Sequence, residues 1–319
     1  MTTTSSSIGV SGTGVVGDRV LRRLPTVLPA AELVVIGTRA PSDLDVVVLA
    51  TGGPHAESAA RFVDAGVAVV SVSDDLTDVR ALLDLDDRAR DAGVPLVVGA
   101  GMAPGLTGLL ARHLTSSLAR CDEIHIAVHG TAGPACARQQ HRALRGRAVG
   151  YHDGAWIQRP AGSGRELCYF PEPVGPYDCY RAELASPVLL REAFPEAVRI
   201  SARVSANRRD RFTAWLPMLS PPHREGGVGA VRVEVRGQDA AGGRSTLIAG
   251  VAELVGTAAA ATAIAFVTAA ATGALPVGVV RAGDAELDTV ALLRTIADVG
   301  VRLQEFTGVS SARRLSANP

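Results

Sequence analysis

Short apolar runs, separated by amphipathic stretches, organise the first hundred residues. Runs at 8–10, 33–36, 46–50, 67–72 and 95–100 are rich in Val, Leu, Ile and Ala and do not alternate with polar residues. That is the pattern of strands buried on both faces of a parallel sheet. Between them lie segments of helical spacing. Val16, Val20 and Leu24 share one face, with Pro25 expected just beyond the helix end, and Ala56, Ala59, Ala60 and Val63 share another, stopped by Gly66. Strand and helix in strict alternation predict an α/β unit with a doubly wound parallel sheet.

The period changes after about Arg120. Ile124, Ile126 and Val128 alternate with His125, Ala127 and His129. Val231, Val233 and Val235 alternate with Arg232, Glu234 and Arg236, and with the run at 245–254 they predict an antiparallel hairpin across QDAAGGR. The later part is therefore expected to be an α+β domain with a mostly antiparallel sheet. The expected division falls at 1–120, 121–279 and 280–319.

The first strand runs into GVSGTGVVG, where Gly12, Gly14 and Gly17 have G-x-G-x-x-G spacing. Strand, glycine turn, helix and second strand together form the Rossmann dinucleotide unit. Gly12 permits the tight turn, Gly14 a close approach to a pyrophosphate, and Gly17 close packing of helix on strand. Thr13, Val15 and Val16 would supply backbone at the helix N-terminus, a natural phosphate site. The end of the second strand selects the cofactor. An acid there would hold the ribose of NAD. The residues here are Gly37, Thr38 and Arg39. A guanidinium suits a 2′-phosphate, so NADP(H) is the expected cofactor. Other strand ends in this sheet carry Ala50, Thr51, Gly52, Pro54 and His55, then Asp74 and Asp75, then Gly101 and Met102. A helix is expected to open at Pro104 with free N–H groups.

Composition narrows the chemistry. All 32 basic side chains of the 319-residue chain are Arg, matched by 32 acids, and there is no Lys. Schiff-base chemistry and a catalytic Tyr/Lys pair are excluded. A neutral chain without a basic block argues against nucleic acid. The four cysteines lack CxxC spacing, and no secretory leader pattern is present, so a reducing cytoplasm is expected. The uncharged run at 254–280 is Ala-rich, which suits a helix buried in the second domain and helping to form a homodimer rather than a membrane span.

Hydride transfer needs a proton donor, which without Lys must be His, Asp, Glu, Tyr, Cys or water. His55 and Asp74 are the candidates by position, Asp75 standing beside the second. Each also has a purely architectural reading, His55 as a helix-start residue and Asp74 or Asp75 as a helix cap. His141, Arg142 and Arg145, or Arg208, Arg209 and Arg211, are candidates for binding a substrate carboxylate, though solvated faces are the commoner reason for such clusters. His125 and His129 share a strand face without further ligands nearby, so no metal site is expected. His113, among leucines, reads as a core or interface histidine.

The chain resembles the saccharopine dehydrogenase/reductase-like family of NADP-binding oxidoreductases. The resemblance lies in GVSGTGVVG, AGVAVVSVSDD, VVGAGMAPGLTGLLA and FPEPVG, and in the closing hairpin and Ala-rich helix at 231–278. It implies a Rossmann domain completed by C-terminal residues, an inserted domain for substrate and dimerisation, and chemistry on C–N bonds of amino-acid adducts. The lysine-forming saccharopine dehydrogenases use a catalytic Lys that this chain lacks. The glucose–fructose oxidoreductase-like enzymes carry EKP where SDD stands here, which makes them the weaker match. The expected function is reduction of an imine or carbonyl of an amino-acid-like, saccharopine- or opine-like substrate bearing a carboxylate. The alternatives are a dinucleotide-binding sensor or structural dimer, and a non-redox enzyme that retains the cofactor.

Overall fold

A computed structural model of the chain describes residues 6–36, 43–218 and 221–306. The N-terminal elements are β1 (Ser7–Ser11), α1 (Val15–Val27), β2 (Glu32–Val35), β3 (Val46–Leu49), α2 (Ala56–Asp64), β4 (Ala68–Ser71), α3 (Leu76–Leu83), α4 (Asp86–Asp91), β5 (Pro95–Val98) and α5 (Leu106–Thr115). Then follow β6 (Arg120–His129), α6 (Pro134–Ala143), β7 (Arg147–His152), β8 (Ala155–Pro160), β9 (Glu166–Tyr169), β10 (Pro176–Arg181), α7 (Ser186–Ala193), β11 (Arg199–Ser205) and α8 (Arg208–Thr213). The chain continues with β12 (Val228–Gln238), β13 (Arg244–Leu254), α9 (Val255–Ala271), β14 (Gly278–Arg281), α10 (Thr289–Asp298) and β15 (Gln304–Phe306).

The apolar runs form a six-stranded parallel sheet in the order β14-β5-β4-β3-β1-β2. Every residue of β3 and β4 is buried, as their unbroken apolar sequence requires. The alternating segments form a larger sheet in the order β15-β13-β12-β6-β11-β10-β9, with β7 and β8 attached through β11. Its ladders are antiparallel except β6 with β11. The chain is thus α/β, a doubly wound parallel sheet joined to a mostly antiparallel one. The closing segment serves both: β14 extends the parallel sheet beside β5, while β15 pairs with β13.

Two expectations are corrected here. Pro25 lies inside α1, which runs on to Val27. A proline there removes one backbone donor and leaves the last helical turn to finish around it. The Ala-rich run was expected to bury itself in the second domain and help form a homodimer. Instead, residues 255–267 of α9 are all buried within the chain, against α1, α10, β3, β4, β12 and β13. A helix apolar on every side belongs inside, and its small side chains let two sheets and two helices close on it at once. Among the described residues no helix is long and apolar enough to cross a membrane.

Candidate functional site

The glycine turn is built from backbone alone. Gly12 has φ +101°, and a Cβ there would lie 2.8 Å from the Ala50 carbonyl carbon and oxygen. A Cβ on Gly17 would fall 1.9 Å from the Gly12 oxygen, so α1 packs on the turn only through a glycine. Gly14 has open space within 4 Å of its own Cβ position, and no side chain caps α1. The first turn of α1 therefore offers N–H groups to an anion at a place where backbone can approach closely. These features fit the pyrophosphate of a dinucleotide.

From this turn a cavity of about 810 Å³ extends along the carboxyl ends of the parallel strands, where open α/β sheets bind ligands. Gly12, Gly14, Val15 and Val16 line one end of it. Ala50, Thr51, Gly52 and Pro54 follow, then Asp74, Gly101 and Met102, and Arg142 faces them from α6. Thr13 opens instead onto a neighbouring cavity of about 520 Å³, which Arg19, Arg22, Arg23 and Arg224 border. Thr38 and Arg39 lie outside the described residues.

Four predicted site features differ from expectation. His55 is buried at the start of α2 and is not among the residues that line the cavity. Its Nε2 lies 3.2 Å from the Thr51 carbonyl, and its Nδ1 lies 2.8 Å from Ser71 Oγ. A carbonyl only accepts, so Nε2 carries the proton and Nδ1 accepts from the Ser71 hydroxyl. Burial pushes the imidazole below its usual pKa, opposed by the nearby Asp78 carboxylate. His55 is thus a neutral strut whose ring nitrogens are both engaged. His141 spends its Nε2 on the Leu216 carbonyl at 2.9 Å, and Arg209 is exposed on α8, outside the cavity lining. The helix expected to open at Pro104 begins at Leu106, after Gly105 at φ +127°. Its first N–H groups are already taken, Leu106 donating to Gly101 O at 2.9 Å and Gly108 to Gly105 O at 2.8 Å.

The loop after β4 behaves differently. Asp75 caps α3, its Oδ1 accepting from the Thr77 and Asp78 N–H groups at 2.9 and 3.1 Å. Asp74 does not cap; its carboxyl lies on the cavity wall, with Cys136 Sγ 3.8 Å from Oδ2. Desolvation raises its pKa to about 6, with Asp75 adding repulsion, while its own backbone N–H, and after it Cys136 and Arg142, pull the other way. The same burial, with Asp74 nearby, pushes the Cys136 thiol up to about 12, so it stays a thiol and a donor. Asp78 accepts from His55 and Ala56 N–H at 2.8 and 3.0 Å, holding the start of α2 from α3.

Sequence reasoning overlooked Cys136, Gln139 and Glu183, all on the cavity wall. A signal existed for the first two. Positions 136, 139 and 143 share one helical face of a segment whose Gly133-Pro134 start marks a helix N-terminus. The strand histidines lie on the face of β6 opposite its core residues. His125 bonds Ser201 and Glu123, each at 2.8 Å, and His129 bonds Ser205 at 2.8 Å. His113 is a partly exposed partner of Glu305 at 2.7 Å, not a core residue.

Saccharopine dehydrogenase (L-Glu forming) from Saccharomyces cerevisiae superposes with a TM-score of 0.66 at 12% identity, over 95% of this chain and 100% of that one. The chain has the saccharopine dehydrogenase-like fold. An engineered D-amino acid dehydrogenase bound to NADP+ superposes with a TM-score of 0.51 at 14% identity, over 99% of this chain and 100% of that one. No protein-family model and no curated protein sequence matches. In this saccharopine dehydrogenase-like fold, the glycine turn and the Asp74 wall belong to the parallel sheet, and α6 closes the cavity from the other side.

Proposed function

We propose that the chain is an NADP(H)-dependent oxidoreductase that reduces an imine or carbonyl of an amino-acid-like, saccharopine- or opine-like substrate bearing a carboxylate. One observation carries this reading. A single cavity joins an uncapped glycine turn shaped for pyrophosphate to a carboxyl group whose pKa of about 6 suits proton transfer.

In this reading the turn at Gly12, Gly14 and Gly17, with Thr13, Val15 and Val16, binds the pyrophosphate. Ala50, Thr51, Gly52, Pro54, Gly101 and Met102 line the path toward the reacting end. Bound there, the nicotinamide supplies or accepts the hydride. Asp74 holds the proton that the reduced substrate atom receives. Arg142, the cation on that wall, orients the substrate through its carboxylate. Thr38 and Arg39 would select the 2′-phosphate. The four cysteines are free thiols, in keeping with a cytoplasmic setting. A homodimer, with residues 255–267 of α9 buried inside the chain, would use another surface; a monomer by light scattering at micromolar concentration would remove it.

The reading is tested by NADPH consumption over a panel of amine and 2-oxo acid pairs, beside fluorescence titration of NADPH and NADH. Turnover with at least one pair and tighter NADPH are expected. Arg39→Ala should weaken NADPH by about 1.5–3 kcal/mol and leave NADH nearly unchanged, the range for hydrogen bonds to a charged group. Failure of both dinucleotides to bind would end the reading.

A further inference from the structure

The cavity wall carries four carboxylates, those of Asp74, Asp75, Asp78 and Glu183, against one cation among the described residues, Arg142. A guanidinium in such company pairs with the nearest carboxylate unless a group stands between them. Gln139 stands between. Its Nε2 donates to Asp75 Oδ2 at 2.8 Å, and its Oε1 accepts from Arg142 Nη2 at 2.5 Å. A primary amide offers a donor to a carboxylate and an acceptor to a guanidinium while carrying no charge itself. The arrangement is held at both ends. Gln139 and Arg142 are three apart on α6 and so share a face, and Asp75 is fixed because its other oxygen caps α3.

We propose that Gln139 is a positioning residue, a neutral spacer that keeps the Arg142 guanidinium off the Asp74–Asp75 pair and open to an incoming anion. That this anion is the substrate carboxylate rests on the function proposed above; the spacer itself is a property of the chain. Were residue 139 apolar, nothing would hold Arg142 from swinging across to Asp75 Oδ2, which would have lost its own donor. The cation would then be spent inside the wall.

The reactivity of Arg142 reads this directly. Phenylglyoxal attacks unpaired guanidinium groups, and a chain without Lys gives it no competing side-chain amine. Labelling of the Arg142 peptide is followed by mass spectrometry, with exposed Arg159 on β8 as internal standard. Gln139→Leu should slow Arg142 about three- to fivefold, the range an exposed ion pair supports, and leave Arg159 unchanged. Gln139→Leu with Asp75→Asn should restore the rate, because Asn still caps α3 but no longer captures the cation. Gln139→Met is the second apolar variant should the leucine protein fold poorly. An unchanged rate in the apolar variants, or a slowed rate that Asp75→Asn does not restore, overturns the spacer. NADPH titration of the same samples reports separately on the proposed function, so loss of one conclusion is distinguishable from loss of the other.

Discussion

The loops after β3 and β4 leave neighbouring strands of the same sheet, and each carries a titratable side chain, yet the two do opposite things. After β3, His55 turns inward, gives both ring nitrogens to Thr51 and Ser71, and is driven neutral by burial. After β4, Asp75 takes over the capping of α3, which leaves Asp74 free to face the cavity, where desolvation raises its pKa to about 6. Burial thus disfavours the charged form at both places but yields a strut in one and a proton-holding group in the other. What separates them is the supply of local partners. His55 has a carbonyl and a hydroxyl that engage both ring nitrogens, whereas Asp74 has its own backbone N–H and a weak thiol donor at 3.8 Å on the cavity wall.

The sharpest way to break this contrast is a pair of substitutions. Asp74→Asn should lower turnover by roughly two to four powers of ten, the usual loss with a general acid, while NADPH still binds. His55→Asn should leave turnover within a few-fold. Steady-state kinetics on both proteins decide it, and a reversed order would return the proton to His55.

His55→Asn should instead lower stability by roughly 1–3 kcal/mol, because Ser71 or Thr51 loses a buried partner. Urea unfolding measures this; an unchanged midpoint would mean that the strut carries no load.

The pH–rate profile sharpens the contrast further. A general acid works when protonated, so kcat/KM for reduction should fall as pH rises through about 6. Asp75 and Arg142 face the same group, and their opposed influences should both shift that inflection. Asp74→Asn should flatten it.

The smallest effect is in thermal stability, and the signs should be opposite at the two sites. Asp74 binds its proton more tightly folded than unfolded, so it withdraws stability as pH rises between about 4 and about 6. Asp74→Asn should therefore gain in Tm relative to the wild type on going from pH 4 to pH 7. His55 has a lowered folded pKa, so its contribution is present above the unfolded value and lost as pH falls below 6.5. His55→Asn should remove part of that acid-side loss. Calorimetric scans across pH would show the two differences moving in opposite directions or erase the distinction.

Much of this was readable along the chain because it depends on local periodicity. Unbroken apolar runs of five or six residues, rich in Val and too short for a buried helix, suit strands covered on both faces, so 46–50 and 67–72 announced the parallel sheet. Gly12, Gly14 and Gly17 announced the turn, since their spacing answers a backbone demand within a few residues. The hairpin of β12 and β13 followed from alternation and a Gly-rich connection. Tertiary structure alone decided the rest. The Ala-rich helix has no polar side to reveal its neighbours, so only packing could put it between the two sheets rather than at a partner's surface. His55 and Asp74 look alike in sequence, each a polar residue at a strand end. Their roles turn on Ser71, Asp78, Cys136 and Gln139, the last two contributed by a helix some sixty residues further along the chain. Strand and turn propensities act over neighbours in sequence, but desolvation and hydrogen bonding act over neighbours in space, and the fold must exist before those are known.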